Sequence, residues 1–187
     1  SGEWRPVTPL TVSANLFHNE LTDLIQPMSN GTNEAGQLTR YLYTNIDRAF
    51  TQGLESSVRV MPLPNLSFDV SYMLLNAINR GTGQQLEGRS AHRGSADVRV
   101  QLFDARVKAT LRSSLSSPRP FYTTVDAAGA PVATWSAPLA TLDANVTFTP
   151  FRQLTLGVLA ENLLNSGDAL LQTMQPRTFM LTAAARY

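Results

Sequence analysis

The chain ends Pro176-Arg177-Thr178-Phe179-Met180-Leu181-Thr182-Ala183-Ala184-Ala185-Arg186-Tyr187. Counting back from the end, every second residue (Tyr187, Ala185, Ala183, Leu181, Phe179) is apolar or aromatic. The residues between them, Arg186, Ala184, Thr182, Met180 and Thr178, are more polar on the whole. A period of two is the pleat of a β-strand, whose successive side chains face opposite ways. Alone, this stretch fits either the last strand of a soluble sheet or a strand with lipid against its apolar side.

The same alternation recurs along the whole chain. Leu10, Val12, Ala14 and Leu16 alternate with Thr11, Ser13 and Asn15 in a strand over Val7–Phe17 that runs on to Ile25. A second strand covers Tyr41–Met61, and a third pits Leu66, Phe68, Val70, Tyr72 and Leu74 against Ser67, Asp69, Ser71 and Met73. Further strands follow at Ser95–Leu102, Ala105–Arg112, Thr141–Phe148, Leu154–Glu161 and the closing stretch, which predicts eight. Their connections also alternate. Short turns are expected at Pro62–Asn65, Phe103–Asp104 and Thr149–Arg152, and long polar loops at Pro27–Arg40, Asn76–Arg93, Ser113–Pro138 and Asn162–Gln175. In the longest loop Pro118, Pro120, Pro131 and Pro138 are expected to break any element.

An antiparallel meander with every short turn at one end and every long loop at the other matches a transmembrane β-barrel. A soluble sandwich, with Greek-key connections, has no reason to sort loops by length. The apolar phase would then face lipid, with Phe50, Phe68, Tyr72, Phe148, Phe151, Phe179 and Tyr187 supplying an interfacial girdle. The polar phase would line the lumen with Glu55, Arg59, Asp69, Asp97, Arg99, Arg106, Lys108, Arg112, Asp143 and Glu161. A soluble core would not hold such charges unpaired.

Composition agrees. The 187 residues suit one domain, and only 16% are charged. Fifteen Lys and Arg against 14 Asp and Glu leave a net charge of +1, which gives nucleic-acid binding no electrostatic footprint. There is no cysteine, hence neither a disulfide framework nor a thiolate metal site. No apolar run approaches the ~20 residues of a membrane helix, whereas a spanning strand needs only ~9–11. Ser1-Gly2-Glu3-Trp4 is not a charged-then-apolar leader, so an exported protein would be represented here by its mature form or a piece of it.

Four segments carry a family resemblance. Phe17-His18-Asn19-Glu20-Leu21-Thr22-Asp23-Leu24-Ile25 resembles the aromatic-aromatic-asparagine…aspartate-leucine-isoleucine strand of TonB-dependent receptor barrels, with His18 where a second aromatic is usual. Asn45-Ile46-Asp47-Arg48-Ala49-Phe50-Thr51-Gln52-Gly53-Leu54-Glu55 is similar to the asparagine…alanine…glycine-valine-glutamate segment that follows it there. Leu156-Gly157-Val158-Leu159-Ala160-Glu161-Asn162-Leu163-Leu164-Asn165 resembles their penultimate strand, and Pro176-Arg177-Thr178-Phe179 the start of their last.

The resemblance implies that residues 1–187 are the C-terminal segment of such a barrel, its last eight strands of twenty-two. It also implies TonB-energised uptake of a scarce nutrient across the bacterial outer membrane: a ferric siderophore, haem, cobalamin or an oligomeric nutrient. The implied partners are an N-terminal plug with the remaining strands, TonB–ExbB–ExbD acting through the plug, and outer-membrane lipid and lipopolysaccharide. Phe179, Leu181 and Tyr187 would carry the barrel-assembly signal. Left alone, the first and last strands would expose unpaired edges in lipid.

The ligand-binding candidates lie in the long loops. His92, beside Arg89 and Arg93, could meet an anionic ligand or a haem iron, or be a solvated loop histidine. Arg119, Tyr122 and Trp135 could contact ligand, pack the loop or sit near lipid headgroups. No serine stands in a nucleophile elbow, and there is no phosphate loop, two-histidine metal spacing or paired-carboxylate motif, so neither catalysis nor a cofactor is expected. Two other readings remain: a self-standing eight-stranded outer-membrane barrel with a structural or adhesive role, and a soluble β-sandwich or carbohydrate-binding module.

Overall fold

The computed structural model describes residues 2–7, 9–29, 41–125, 131–168 and 175–185. They form strands and turns without a helix: β1 (Gly2–Val7), β2 (Leu10–Ser29), β3 (Tyr41–Leu63), β4 (Leu66–Asn79), β5 (His92–Leu102), β6 (Val107–Ser116), β7 (Pro120–Val125), β8 (Pro131–Trp135), β9 (Leu139–Phe151), β10 (Leu154–Glu161) and β11 (Thr178–Ala185). Nine of them make one antiparallel sheet in the order β1-β2-β3-β4-β5-β6-β9-β10-β11, and β7 and β8 pair separately. The expected meander is present. Among the described residues β1 and β11 are its two edges, with no pairing between them.

The alternation sets the two faces, and the register aligns it from strand to strand. Leu10, Val60, Phe68, Val98, Leu111, Ala144, Ala160 and Phe179 stand opposite one another in turn, one apolar row across eight strands. This face is open: Val70 is 52% exposed, Phe179 65% and Leu181 81%. A single-layer sheet that leaves one apolar face uncovered is what lipid, not water, would stabilise. A sandwich would need a second sheet against it, and among the described residues the only other sheet is the two-stranded β7–β8 hairpin.

The short turns fall together at one end, at Pro64–Asn65, Phe103–Arg106 and Arg152–Gln153. Phe103, Asp104 and Ala105 all take left-handed φ there, at 54°, 53° and 63°. Asn65 Nδ2 donates to the Gln101 carbonyl at 2.9 Å and ties the first turn to the end of β5.

Several boundaries differ from the expected ones. A ninth strand, β1, precedes the first expected one; Pro6 and the lack of alternation hide it. The loop expected over Asn76–Arg93 is shorter, because β4 runs to Asn79 and β5 starts at His92. The proline-rich loop is not free of structure: Pro120 and Pro131 open β7 and β8, the first-residue position where a missing N–H costs no ladder bond. Arg40 and the rest of the loop expected after Ser29, together with Tyr187, lie outside the described residues.

A small core sits at the long-loop end. Ile46, Ala49, Ala77 and Leu86 are buried together, with Leu21, Leu24 and Leu75 packed on them. Leu86 comes from the β4–β5 loop, which therefore folds back onto the strands. Leu21 and Leu24, three apart, reach one cluster, which strict alternation forbids. Asp23 between them has φ 55°, and the pairing with β3 passes from Thr22↔Arg48 to Leu24↔Ile46 across it.

Candidate functional site

The polar face is organised in tiers. Ser13, Ser57, Ser71, Ser95, Ser114 and Thr141 stand opposite one another in succession from β2 to β9, a row of hydroxyls. Ser13 and Ser57 share a hydrogen bond of 2.7 Å, and Ser71 and Ser95 one of 2.8 Å. The next row toward the short turns is ionic: Arg59, Asp69, Asp97, Arg112 and Asp143. Arg59 bonds Asp69 across the β3–β4 pair. Arg112 Nε donates to Asp97 Oδ1 at 2.8 Å, and Arg99 reaches diagonally to Asp69 at 2.8 Å and to Asp97 at 3.7 Å. Asp97 is buried, so its two arginines answer its desolvation cost. The wall largely neutralises its own charge.

Above the hydroxyl row lies Asn15, Glu55, Met73, Arg93, Ser116 and Leu139. Together the two rows line a concavity of about 920 Å³, with Arg119 at its rim.

Two connections fold over this mouth. Arg119 at the root of the β7–β8 hairpin is anchored by its N–H to Ser136 Oγ at 3.2 Å, while Nη2 donates to Ser116 Oγ at 3.4 Å. Its Nε is buried without a partner. Burial, and then the nearby Arg93 charge, lower its pKa. Tyr122 Oη donates to the Gln85 carbonyl at 2.8 Å, and Gly88 N–H donates to the Pro120 carbonyl at 2.9 Å. Glu87 accepts the Tyr122 backbone N–H, yet burial raises its pKa and its Oε2 has no partner. Tyr122 is pushed up by burial and by the Glu87 charge. β7 also touches β2, so the hairpin, which leaves the sheet between β6 and β9, reaches across the concave face.

The expected ligand residues divide. Arg93 and Arg119 come together at the mouth, and Tyr122 lies in the hairpin beside them. Arg89 is exposed on the β4–β5 loop, its carbonyl accepting from Gln85 Nε2 at 2.7 Å. Trp135 is 53% exposed and pairs with Pro120 in the hairpin. His92 is not a loop residue: it opens β5 opposite Leu74, and its Nδ1 lies 2.6 Å from Tyr72 Oη on the apolar, outward phase. Strand β5 starts early because Leu75 N–H still bonds the Ala91 carbonyl. Sequence reasoning missed the hydroxyl row and Glu87. Each serine was legible as a polar-phase residue, but only the register aligns them.

A wall one sheet thick, apolar outside and ion-paired inside, with turns short at one end and long at the other, is the wall of a transmembrane β-barrel. The chain belongs to the TonB dependent receptor-like β-barrel family, whose model matches residues 2–163. Among solved structures it is similar to a mutant of the ferric enterobactin receptor PfeA from Pseudomonas aeruginosa, at 18% identity and a TM-score of 0.74 over 98% of this chain. It is similar too to the ferric-catecholate import receptor Fiu from E. coli K12, at 18% identity and 0.69 over 99%, and to the copper transporter OprC, at 13% and 0.71 over 99%. The chain spans 29%, 26% and 30% of their lengths respectively, less than a third of each. No curated protein matches it.

Proposed function

We propose that this chain is part of the barrel wall of a TonB-dependent receptor in the bacterial outer membrane, which takes up a scarce nutrient such as a ferric siderophore. The observation that carries the reading is the inverted polarity of the sheet: an exposed apolar row outside and a hydroxyl tier and an ion-paired tier inside, around a wide concavity. In this reading β1 and β11 pair with the remaining strands, the concavity receives the plug, and TonB–ExbB–ExbD act through that plug. Arg93, Arg119 and Tyr122 contact ligand from the mouth, with Arg89 and Trp135 in the loops beside them. His92, on the outward face, is left out of that set. The wall positions and admits; it performs no catalysis.

The test is nutrient-limited growth of cells lacking the full-length protein, restored by the gene in a strain with TonB and again in one without it. Restoration that needs TonB is expected. Equal restoration without TonB would overturn the reading. Native mass spectrometry of the detergent-solubilised particle adds the composition: plug and missing strands alongside this segment are expected, whereas a folded, protease-resistant 20.4 kDa monomer would favour the self-standing barrel.

A further inference from the structure

The β7–β8 hairpin departs from the sheet between β6 and β9, yet β7 touches β2 on the far side of the concavity. It spans the mouth as a strap. What holds it to the β4–β5 loop is a compact set of bonds: Gly88 N–H to the Pro120 carbonyl, Tyr122 Oη to the Gln85 carbonyl, and the Tyr122 backbone N–H to the Glu87 carboxylate. The second carboxylate oxygen, Oε2, is buried with no partner. Ionised, that oxygen is an unmatched charge under the strap; protonated, it is a neutral group of the same shape. The loop itself is pinned beneath by Leu86 in the small core, so the movable partner is the hairpin.

We propose that the β7–β8 hairpin is a strap across the mouth of the concavity, latched to the β4–β5 loop by Glu87 and Tyr122, closed when Glu87 is protonated and loosened when it ionises. Among the described residues the charged and titratable groups around the latch are few. Tyr122 faces Glu87 from β7; Arg119, at the root of the hairpin, has Arg93 of β5 as its charged neighbour; Arg89 on the loop itself is exposed. None of them is bonded to Glu87 Oε2. Burial raises the Glu87 carboxyl above its ordinary 4.5, so the latched form holds its proton more tightly than the open one. Latch strength is therefore full below that ordinary value, falls as pH rises through the raised value, and is constant above it.

The strap is read without ligand, so its failure would leave the uptake reading untouched. The experiment is a distance measurement by pulsed electron resonance on the full-length protein in detergent, with spin labels on Val132→Cys in the hairpin and Asn19→Cys in β2. This segment has no native cysteine to compete. At about pH 4, below the ordinary carboxyl value, the short distance is expected to dominate, and at about pH 8 a longer population should have grown several-fold. Glu87→Gln should keep the short distance at both pH values. Tyr122→Phe, which removes only the bond to Gln85, should enlarge the long population at both while keeping the pH step. One distance at both pH values in the parent protein, or a pH step that survives in Glu87→Gln, would overturn the proposal. Should Glu87→Gln fail to fold, loss of the step in Tyr122→Phe would overturn it equally.

Discussion

The Phe17 ring lies over Gly53, its cross-strand partner, with Cζ 2.9 Å from where a Cβ on that glycine would stand. The Leu74 carbonyl approaches the same point from β4 more closely still. Glycine is required here by crowding from both neighbouring strands, and the aromatic ring covers the bare backbone it leaves. Gly53→Ala should cost about 1–3 kcal/mol through the forced shift of ring and strand. Gly53→Val should cost more, and Gly167→Ala, with open space at its Cβ, close to nothing. Urea unfolding of the full-length protein, followed by loss of the heat-modifiable band, would rank the three; a harmless Gly53→Val would sink the argument.

The ion tier should be unequal along its length. The Asp97 side chain is 11% exposed and has Arg112 and Arg99 on it, whereas Arg59 is 56% exposed. Asp97→Ala would leave Arg112 without its carboxylate and Arg99 with Asp69 alone, a loss of about 1–2 kcal/mol. Arg59→Ala leaves Asp69 still held by Arg99 and should cost less than about 1 kcal/mol. The same unfolding assay decides; an Arg59 variant worse than the Asp97 variant would contradict the assignment.

Phe179 and Leu181 close the outward rows, opposite Ala160 and Val158 on β10. Their apolar faces are exposed in this segment, so a polar substitution there meets lipid rather than core. Phe179→Ser and Leu181→Ser should lower the amount of folded barrel recovered from outer membranes, while Thr182→Ser, on the opposite phase beside Gly157, should not. Equal recovery of all three would argue against an outward lipid-facing row.

How far the sequence could be read follows from which forces are local. Alternation is local, so the strand faces, the short turns and the polar wall were legible from residues such as Phe68 against Asp69. Register is not local: nothing near Ser71 announces Ser57 or Ser95 beside it. Pro120 and Pro131 looked like breakers because proline removes a donor, but at the first residue of a strand no ladder bond needs it. Leu21 and Leu24 share a core around Asp23, whose left-handed φ is a backbone state the sequence does not display. Loop position marked Arg93, Arg119 and His92 alike as candidates for ligand contact; the register brings the two arginines to the mouth and sets His92 on the outward face.

Asn162 is the clasp of the last loop. It is 5% exposed at φ 49°, a left-handed conformation asparagine tolerates better than most residues. Its Nδ2 donates to the Ser166 and Gln175 carbonyls at 2.8 and 2.9 Å, Oδ1 accepts the Ser166 N–H at 2.9 Å, and its own N–H bonds Asp143 at 2.8 Å. One side chain thus joins the start of the β10–β11 connection to its end and to β9. Asn162→Asp keeps the acceptor but loses both donors, and Asn162→Gly keeps the backbone conformation but loses all three side-chain bonds. Limited proteolysis should cut either variant between residues 163 and 177 several-fold faster than the parent, with Asn162→Ala faster again because alanine tolerates the left-handed φ less well than glycine, asparagine or aspartate. Cleavage at the parental rate in Asn162→Gly would show that the loop is held elsewhere, most directly by the Asn165 side-chain Oδ1 that accepts the Arg177 N–H at 3.1 Å.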